Sequence, residues 1–387
     1  MKIALVTETF PPEINGVAMT LGHLVEGLAQ RGHDVTVIRP RQGKADQPRA
    51  DGLYAELLCP GVPIPGYTML RAGLPVRGRL LRAWRSERPD LVHIATEGPL
   101  GYAALSAADK LGIPLSSSFH TNFHHYSGHY GFSFLNRPAL AYLRHFHNRT
   151  RITLSPTAAL NDELARDGFR GMRLLSRGVN TAVFSPAHRS DDLRHSWGAS
   201  PDDLVVIHVS RLAAEKNYEL LIAAWTAIRA QHPRARFVMI SDGPLRKKLQ
   251  RWHPWIHFTG FLSRADLARH YASADLFLYP SLTETFGNVL TESMASGLGV
   301  VAFHYAAAAR YLNADENGLP VPLGDRDAFI AASLKLAADS TLRQRLAASA
   351  RLTAEGISWT HVIDGFERDL LEVASSKPAA GLAVSTA

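Results

Sequence analysis

The sequence has 387 residues, of which 46% are hydrophobic and 20% charged, so it is globular rather than disordered and long enough for two domains with separate cores. The single cysteine, Cys59, excludes internal disulfides and favours a reducing compartment. No apolar run approaches the roughly 18 residues of a membrane span, and the N-terminal run breaks at Thr7 and Glu8, so we expect neither a transmembrane helix nor a signal peptide.

The net charge of +7 comes from the first half of the chain. Residues 1–188 hold 21 Lys and Arg against 14 Asp and Glu, whereas the remainder holds 21 of each. No acid occurs from Lys110 to Asn161, and residues 61–88 interleave arginines with leucines and a tryptophan. This basic surface suits an anionic membrane or another anionic partner, and a solvated basic face is the alternative.

Apolar runs alternate with amphipathic runs through the first half, which predicts a parallel sheet covered by helices on both faces. The first strand, Lys2 to Thr7, leads into a loop with Asn15 and Gly16 and a helix over residues 18–31. Ligands collect in loops at the carboxyl ends of such strands, and Gly16 would let the backbone approach a phosphate. An ordinary turn explains the same glycine. Further strands are predicted at residues 35–38, 91–95, 113–118 and 152–157.

A histidine-rich run, FHTNFHHYS, follows the strand that ends at Ser118. Its histidines invite a metal site, but His120 and His124 would need one helix face and a third ligand, and no acid lies nearby in sequence. We therefore expect no metal.

The alternation restarts in the second half with a strand over Val205 to Val209. Arg211 and Lys216 follow that strand, where a planar guanidinium and a point cation can neutralise a diphosphate. Two surface cations are the alternative interpretation. Asp242 and Gly243 follow another predicted strand, residues 237–240.

The most informative stretch is YPSLTETFGNVLTESMASG, which begins at the end of a buried strand, Leu276 to Tyr279. A helix starting near Asn288 would aim unpaired amides and a partial positive charge beyond that strand, which makes an anion or sugar site. Glu292 lies one helical turn after Asn288, and Glu284 lies in the preceding loop. Two carboxylates so placed can bind polyol hydroxyls, although each alone could be an ordinary solvated charge.

The pattern E-x-F-G-N-x-x-x-E in this stretch resembles the donor-site signature of retaining glycosyltransferases of family 4, and the resemblance extends over residues 1 to about 370. It implies an α/β chain of GT-B fold, with two Rossmann-like doubly wound parallel-sheet domains facing across a cleft. It places an acceptor-side domain at residues 1–185, a donor domain at 186–356 and a helix at about 357–374 crossing back to the first domain. The tail at 375–387 is rich in small residues, Pro, Gly and Ala, which predicts disorder.

The resemblance also implies roles for individual residues. The catalytic set is His120, Arg211, Lys216 and Glu284. The donor would contact Gly16, Arg211, Lys216, Asp242, Gly243, Glu284, Phe286, Gly287, Asn288, Val289 and Glu292. The acceptor would contact Asn15, Thr121 and Tyr126. Asn15 replaces the first glycine of the family's loop, and Ser241 replaces the usual first glycine of another.

The implied reaction is metal-independent, retaining transfer of a hexose from a nucleotide-diphosphate sugar to a lipid or glycan, with no further cofactor. The runs SSFHTNFHHYS and TETFGNV look most like bacterial GDP-mannose-dependent mannosyltransferases and glycolipid synthases. Transfer of glucose or glucuronate from a UDP-sugar to diacylglycerol is the main alternative. Two further alternatives remain: a sugar-nucleotide epimerase or hydrolase, and a basic nucleic-acid-binding protein. The acids Glu284 and Glu292, placed to bind polyol hydroxyls, argue against the nucleic-acid-binding protein. We expect a cytoplasmic enzyme with peripheral contact to the inner face of the plasma membrane through its basic first domain.

Overall fold

The computed structural model describes residues 1–13, 15–49, 52–64, 67–120 and 136–376. Seven strands in the first part of the chain form one sheet in the order β3-β2-β1-β6-β7-β8-β9, and every neighbouring pair is parallel. These strands are β1 (Lys2–Val6), β2 (Asp34–Pro40), β3 (Ala55–Cys59), β6 (Leu91–Ile94), β7 (Leu115–Ser118), β8 (Ile152–Ser155) and β9 (Met172–Leu174). A separate antiparallel hairpin consists of β4 (Gly61–Ile64) and β5 (Tyr67–Gly73).

The helices of this part are α1 (Gly16–Gln30), α2 (Arg77–Ser86), α3 (Pro99–Leu111), α4 (Asn136–His147) and α5 (Ala158–Arg166). Helix α2 buries Leu80, Leu81 and Trp84 in the core and exposes its arginines. The apolar side of this helix is therefore unavailable for insertion into a membrane, and contact of its arginines with anionic lipid stays a prediction.

A second parallel sheet, in the order β12-β11-β10-β13-β14-β15, occupies the rest of the chain. Its strands are β10 (Val205–Val209), β11 (Arg236–Ile240), β12 (His257–Gly260), β13 (Leu276–Tyr279), β14 (Gly299–Phe303) and β15 (Leu319–Val321). Its helices are α6 (Asp191–Ser196), α7 (Tyr218–Gln231), α8 (Arg246–Trp252), α9 (Arg264–Ala272), α10 (Asn288–Ala295), α11 (Ala307–Tyr311), α12 (Arg326–Ala338) and α13 (Ser340–Glu355). Val205 and Ile207 pack in one apolar cluster and Val206 in another, so helices cover both faces of this sheet.

The chain divides into two compact units. The first begins at Met1, continues to Arg177 and resumes at Thr360, and the second runs from Gly178 to Trp359. The last helix, α14 (Trp359–Ser375), packs in the first unit: the Phe366 ring lies edge-on against His93, and Arg173 bonds to Asp369. This helix ends at Ser375, and residues 377–387 lie outside the described ones, so the predicted disordered tail stays a prediction.

Candidate functional site

A buried ion pair lies where two neighbouring strands of the second unit end. Lys216 ends a short 3₁₀ helix after β10, Glu284 lies in the loop after β13, and these strands are paired in parallel. The Lys216 ammonium bonds to Oε1 of Glu284, and its Nζ also lies 3.3 Å from both the Ser281 hydroxyl and the Thr283 carbonyl oxygen. The two side chains are 10% and 14% exposed, so this pair is largely desolvated. The structure therefore brings the predicted diphosphate cation and the predicted sugar carboxylate into direct contact.

Two hydroxyls also contact Glu284. Ser281 donates to Oε1 at 2.7 Å, and the Tyr279 hydroxyl donates to the same oxygen. Burial and the neighbouring carboxylate raise the pKa of Tyr279 well above its usual value, so it remains a donor. Neither residue is in the predicted site. Both lie in the YPS run at the end of β13, which is the signal that could have found them.

Helix α10 begins beside this cluster, since a Cβ on the preceding Gly287 would lie 3.7 Å from Cγ of Glu284. Gly287 precedes it with φ 92°, a left-handed conformation that favours glycine, and no side chain caps the helix. The amides of Asn288 and Val289 belong to the first turn, which has no intrahelical acceptors for its N–H groups. This helix start can therefore offer backbone donors to an anion or a sugar hydroxyl.

Phe286 lines a small cavity together with Tyr279 and Glu284, but its ring is largely buried. The ring is 4% exposed and packs in the apolar core, with Tyr311 at a centroid distance of 6.2 Å. The donor contact predicted for Phe286 stays a prediction, and its ring helps to fill the core behind α10.

Glu292 lies on α10 with its carboxyl group desolvated. Burial raises its pKa to about 7, and the opposing effects of Arg264 and the Tyr271 hydroxyl, 3.4 Å from Oε2, only partly offset burial. A carboxyl group with this pKa exists in both protonation states near neutrality. It can donate to or accept from a hydroxyl group.

The other predicted donor residues lie in neighbouring loops. Arg211 is exposed just after β10. Asp242 bonds through its carboxylate to Arg246, and Gly243 approaches the Leu212 backbone so closely that a Cβ there would lie 2.5 Å from its carbonyl oxygen. Ser241, in the place of a usual glycine, has φ 114°. This turn follows β11, the neighbour of β10 in the sheet.

In the first unit, Asn15 is the N-cap of α1. Its Oδ1 accepts from the amides of Val17 and Ala18, and its Nδ2 donates to the Thr9 hydroxyl. These contacts leave Gly16 as the amide that the helix start can offer to a phosphate. The acceptor contact predicted for Asn15 stays a prediction, and its observed contacts are with the loop itself.

His120 follows β7 and is 5% exposed. The Arg177 guanidinium donates to its Nδ1 at 2.8 Å, so the proton of the neutral ring is on Nε2. Burial, with the charge of Arg177, holds the pKa of His120 well below its usual value. His120 can thus donate a hydrogen bond through Nε2 but is poorly suited to accept a proton. Sequence reasoning missed Arg177, although it lies in the SRGVN run.

Thr121, Tyr126 and His124 lie outside the described residues, so their predicted roles stay predictions. Within the described ranges, no group of three or more His, Cys, Asp and Glu side chains is arranged to hold a metal ion.

Comparison with known proteins decides the family. The model of Glycosyltransferase Family 4 matches residues 14–183, and that of Glycosyl transferases group 1 matches residues 203–339. A GDP-mannose-dependent alpha-mannosyltransferase of Mycobacterium tuberculosis is 34% identical over 370 residues, which cover 94% of each chain. This chain belongs to glycosyltransferase family 4.

Another relative of this family 4 glycosyltransferase is named as the synthase of a glycolipid. The alpha-monoglucosyldiacylglycerol synthase of Acholeplasma laidlawii is 29% identical over 82% of this chain and 84% of its own. Family membership confirms the prediction of an enzyme that transfers a glycosyl group from a nucleotide sugar.

Solved structures confirm the GT-B fold of the glycosyltransferase. Sucrose-phosphate synthase of Thermosynechococcus elongatus superposes with a TM-score of 0.78 at 19% identity, covering 97% of this chain and all of the other. Anabaena Alr3699/HepE in complex with UDP and glucose gives a TM-score of 0.76, also at 19% identity, over 96% of this chain and 100% of that one. Over the part of the chain that is described, no helix is long and apolar enough to cross a membrane.

Proposed function

We propose that this glycosyltransferase moves mannose from GDP-mannose to a lipid or glycan acceptor, with retention of the α configuration. The observation that carries the proposal is the Lys216–Glu284 pair beside the uncapped start of α10, at the carboxyl ends of β10 and β13. The GDP-mannose-dependent relatives, 31–37% identical, support this donor.

The donor diphosphate would bind at Arg211, Lys216 and the first amides of α10. Before the donor binds, Glu284 neutralises the Lys216 ammonium. An arriving diphosphate would compete with Glu284 for this ammonium, and the released carboxylate could then accept hydrogen bonds from sugar hydroxyls. Asp242 and Gly243 would lie near the nucleoside, and Glu292 would bind the ribose. When the nucleoside diphosphate leaves, the prearranged cation and amides stabilise the charge that develops on it.

Retention would follow from attack on the same face of the sugar from which the nucleoside diphosphate leaves. The acceptor hydroxyl would give its proton to a leaving phosphate oxygen, so no side-chain base or metal is required. The assignment of the His120 proton to Nε2 supports this division of roles, because His120 then donates to the sugar or acceptor and takes no proton.

The enzyme would work at the cytoplasmic face of the plasma membrane, held by contact between anionic lipid and the arginines of the first unit. The exposed arginines of α2 support an electrostatic contact without insertion, because its apolar residues are buried. High salt should then release the protein from anionic vesicles.

A UDP-sugar donor with a diacylglycerol acceptor is the second candidate. The similarity to alpha-monoglucosyldiacylglycerol synthase supports it, and the donor is the feature in which it differs most from the first candidate.

The test is to incubate the purified chain with GDP-mannose, UDP-glucose, UDP-galactose or UDP-glucuronate, with and without bacterial lipid extract or oligomannosides, and to measure nucleoside diphosphate release. We expect release from GDP-mannose that requires an acceptor and persists in EDTA. Release from a UDP-sugar with lipid would select the second candidate. Release without any acceptor would overturn both in favour of a hydrolase, and loss in EDTA restored by Mg²⁺ would refute metal independence.

A further inference from the structure

The first unit contains a cavity of about 560 Å³ that none of the site residues above lines. Its wall includes Glu97, Gly98 and Pro99, at the junction between β6 and α3. Strand β6 lies between β1 and β7; Gly16 begins the helix after β1, and His120 follows β7. This part of the cavity wall therefore belongs to the same carboxyl edge of the sheet as Gly16, a predicted donor contact, and His120, a predicted catalytic residue. Its volume is in the usual range for small-molecule sites.

One polar group in the wall has an unmet hydrogen-bonding capacity. Glu97 is 8% exposed, and its Oε1 has no hydrogen-bond partner among the described residues. Burial, together with the nearby Glu8 carboxylate, raises the pKa of Glu97 to about 7. Glu8 itself is engaged, since its Oε1 accepts from the Leu100 amide at 3.0 Å. Glu97 is therefore the carboxyl group that can still form a hydrogen bond with a ligand.

Two tyrosines supply an aromatic surface in the same wall. Tyr102 and Tyr142 are each 40% exposed, with centroids 6.3 Å apart and ring planes tilted by 30°. The Tyr142 hydroxyl donates to the Glu97 carbonyl at 2.5 Å, which fixes its ring beside that residue. At the rim, Arg77 donates from Nε to the Ser106 hydroxyl at 2.8 Å.

These groups discriminate between three kinds of occupant. An acyl chain would suit the tyrosines but would leave the buried Glu97 carboxyl without a partner, which is unfavourable. An anion would be repelled by Glu97 when ionised and by Glu8. A sugar ring has an apolar C–H face for the aromatic rings and hydroxyls for the carboxyl group, so it satisfies both features of the wall.

We propose that this cavity binds an uncharged sugar ring of the acceptor, with its C–H face on Tyr102 and Tyr142 and a hydroxyl group bonded to Glu97. The inference rests on the proposed transfer to a lipid or glycan, and it narrows the acceptor to a molecule that already carries a sugar, either a glycan or a glycosylated lipid.

The test measures binding without turnover, by saturation-transfer NMR titration of the full chain with methyl α-D-mannopyranoside and methyl α-D-glucopyranoside. At least one of them should bind the wild type. Glu97→Leu should weaken that binding about tenfold, because it removes a buried hydrogen bond. Glu97→Gln, which keeps a donor and an acceptor, should bind within about threefold of wild type. Tyr102→Ala changes a half-exposed residue and should also weaken binding about tenfold.

Glu284→Gln is the matched control for sugar bound in the donor site, and it should leave this titration unchanged. A parallel titration uses 1,2-dioctanoylglycerol. If the cavity takes acyl chains, this lipid should bind the Glu97→Leu variant more tightly than the wild type. That result would overturn the proposal, as would sugar binding that is lost in Glu284→Gln and kept in Glu97→Leu, or the absence of sugar binding to wild type. Because no turnover is needed, failure of the donor assay and failure of this test are separate results.

Discussion

Lys216 and Glu284 are 68 positions apart in sequence and share a largely buried ion pair. Removing one partner of such a pair leaves an uncompensated charge in a desolvated place, which is more costly than losing the attraction itself. Removing either partner therefore destabilises the second unit as well as disrupting the proposed donor site, and a test of function must separate the two effects.

Lys216→Met should lower the free energy of unfolding of the second unit by about 3 kcal/mol, because Glu284 remains buried without its cation. Adding Glu284→Gln should recover part of this loss, since no charge is then left. Turnover should fall at least about a hundredfold in both variants, because the cation that stabilises the leaving diphosphate is absent from each.

Chemical denaturation and nucleoside diphosphate release measure the two effects. Lys335→Met is the control, since Lys335 pairs with Asp315 on the surface and its loss should change neither quantity. A double variant no more stable than Lys216→Met would show that the stability loss does not come from the unpaired carboxylate.

Glu292 should give donor binding a pH dependence near neutrality. Its pKa of about 7 means that the carboxylate, which can accept from two ribose hydroxyls, forms as the pH rises from 6 to 8. We expect kcat/KM for the donor to rise about fivefold over this range at saturating acceptor. Glu292→Gln should flatten the profile, and a variant that keeps the wild-type slope would assign the titration to another group.

The same shift acts on stability with the opposite sign. The folded state binds the Glu292 proton more tightly than the unfolded state, so this residue stabilises the fold at acid pH. That contribution is lost as the pH rises from about 4.5 through 7.

The turn between β11 and α8 holds two residues with opposite steric demands. Ser241 has φ 114°, a strained value for a residue with a side chain, while Gly243 has no room for one beside the Leu212 backbone. Ser241→Gly should therefore raise the free energy of unfolding by about 1 kcal/mol, with its backbone bond to the Gly260 carbonyl kept.

Gly243→Ala in the same turn should lower the free energy of unfolding, because its Cβ would overlap the Leu212 carbonyl oxygen. Thermal denaturation of both variants checks the pair. A destabilised Ser241→Gly variant would mean that the entropy cost of the glycine exceeds the relief of strain.

At the element level, the buried strands were predictable from their apolar runs, and β10 and β13 have the predicted bounds. The β4–β5 hairpin and the edge strands β3 and β9 were not predicted, because their sequences are short or rich in Pro, Gly and Arg and lack a clear period. The loops of the second-unit site were predicted because ligands collect at the carboxyl ends of parallel strands.

The contacts inside those loops were not predictable from sequence. No local pattern shows that Lys216 meets Glu284, that Arg177 fixes the His120 proton, or that the Phe286 ring faces the core. The Asn15 cap could have been read from its residue type before a helix, and the resemblance led instead to a ligand role.

At the scale of the whole molecule, α14 completes the first unit from the far end of the described chain. Phe366 is 1% exposed, and Arg31 holds Asp364 and Glu367 on the same helix. Phe366→Ala should lower the stability of the first unit by about 3–5 kcal/mol and leave that of the second unchanged.

Calorimetry that resolves the transitions of the two units tests this, with Leu371→Ala on the exposed side of α14 as the control. An equal loss in both units would show that their stabilities are coupled rather than separate.

The return of α14 also sets an order for biosynthesis. As the chain leaves the ribosome, the first unit emerges first but lacks the helix that covers His93 and pairs with Arg31 and Arg173. Over the described residues, the second unit is continuous and can fold as soon as it has emerged. The part of the enzyme that is synthesised first is therefore the part that finishes folding last, and until then its unfinished surface is exposed to chaperones and proteases.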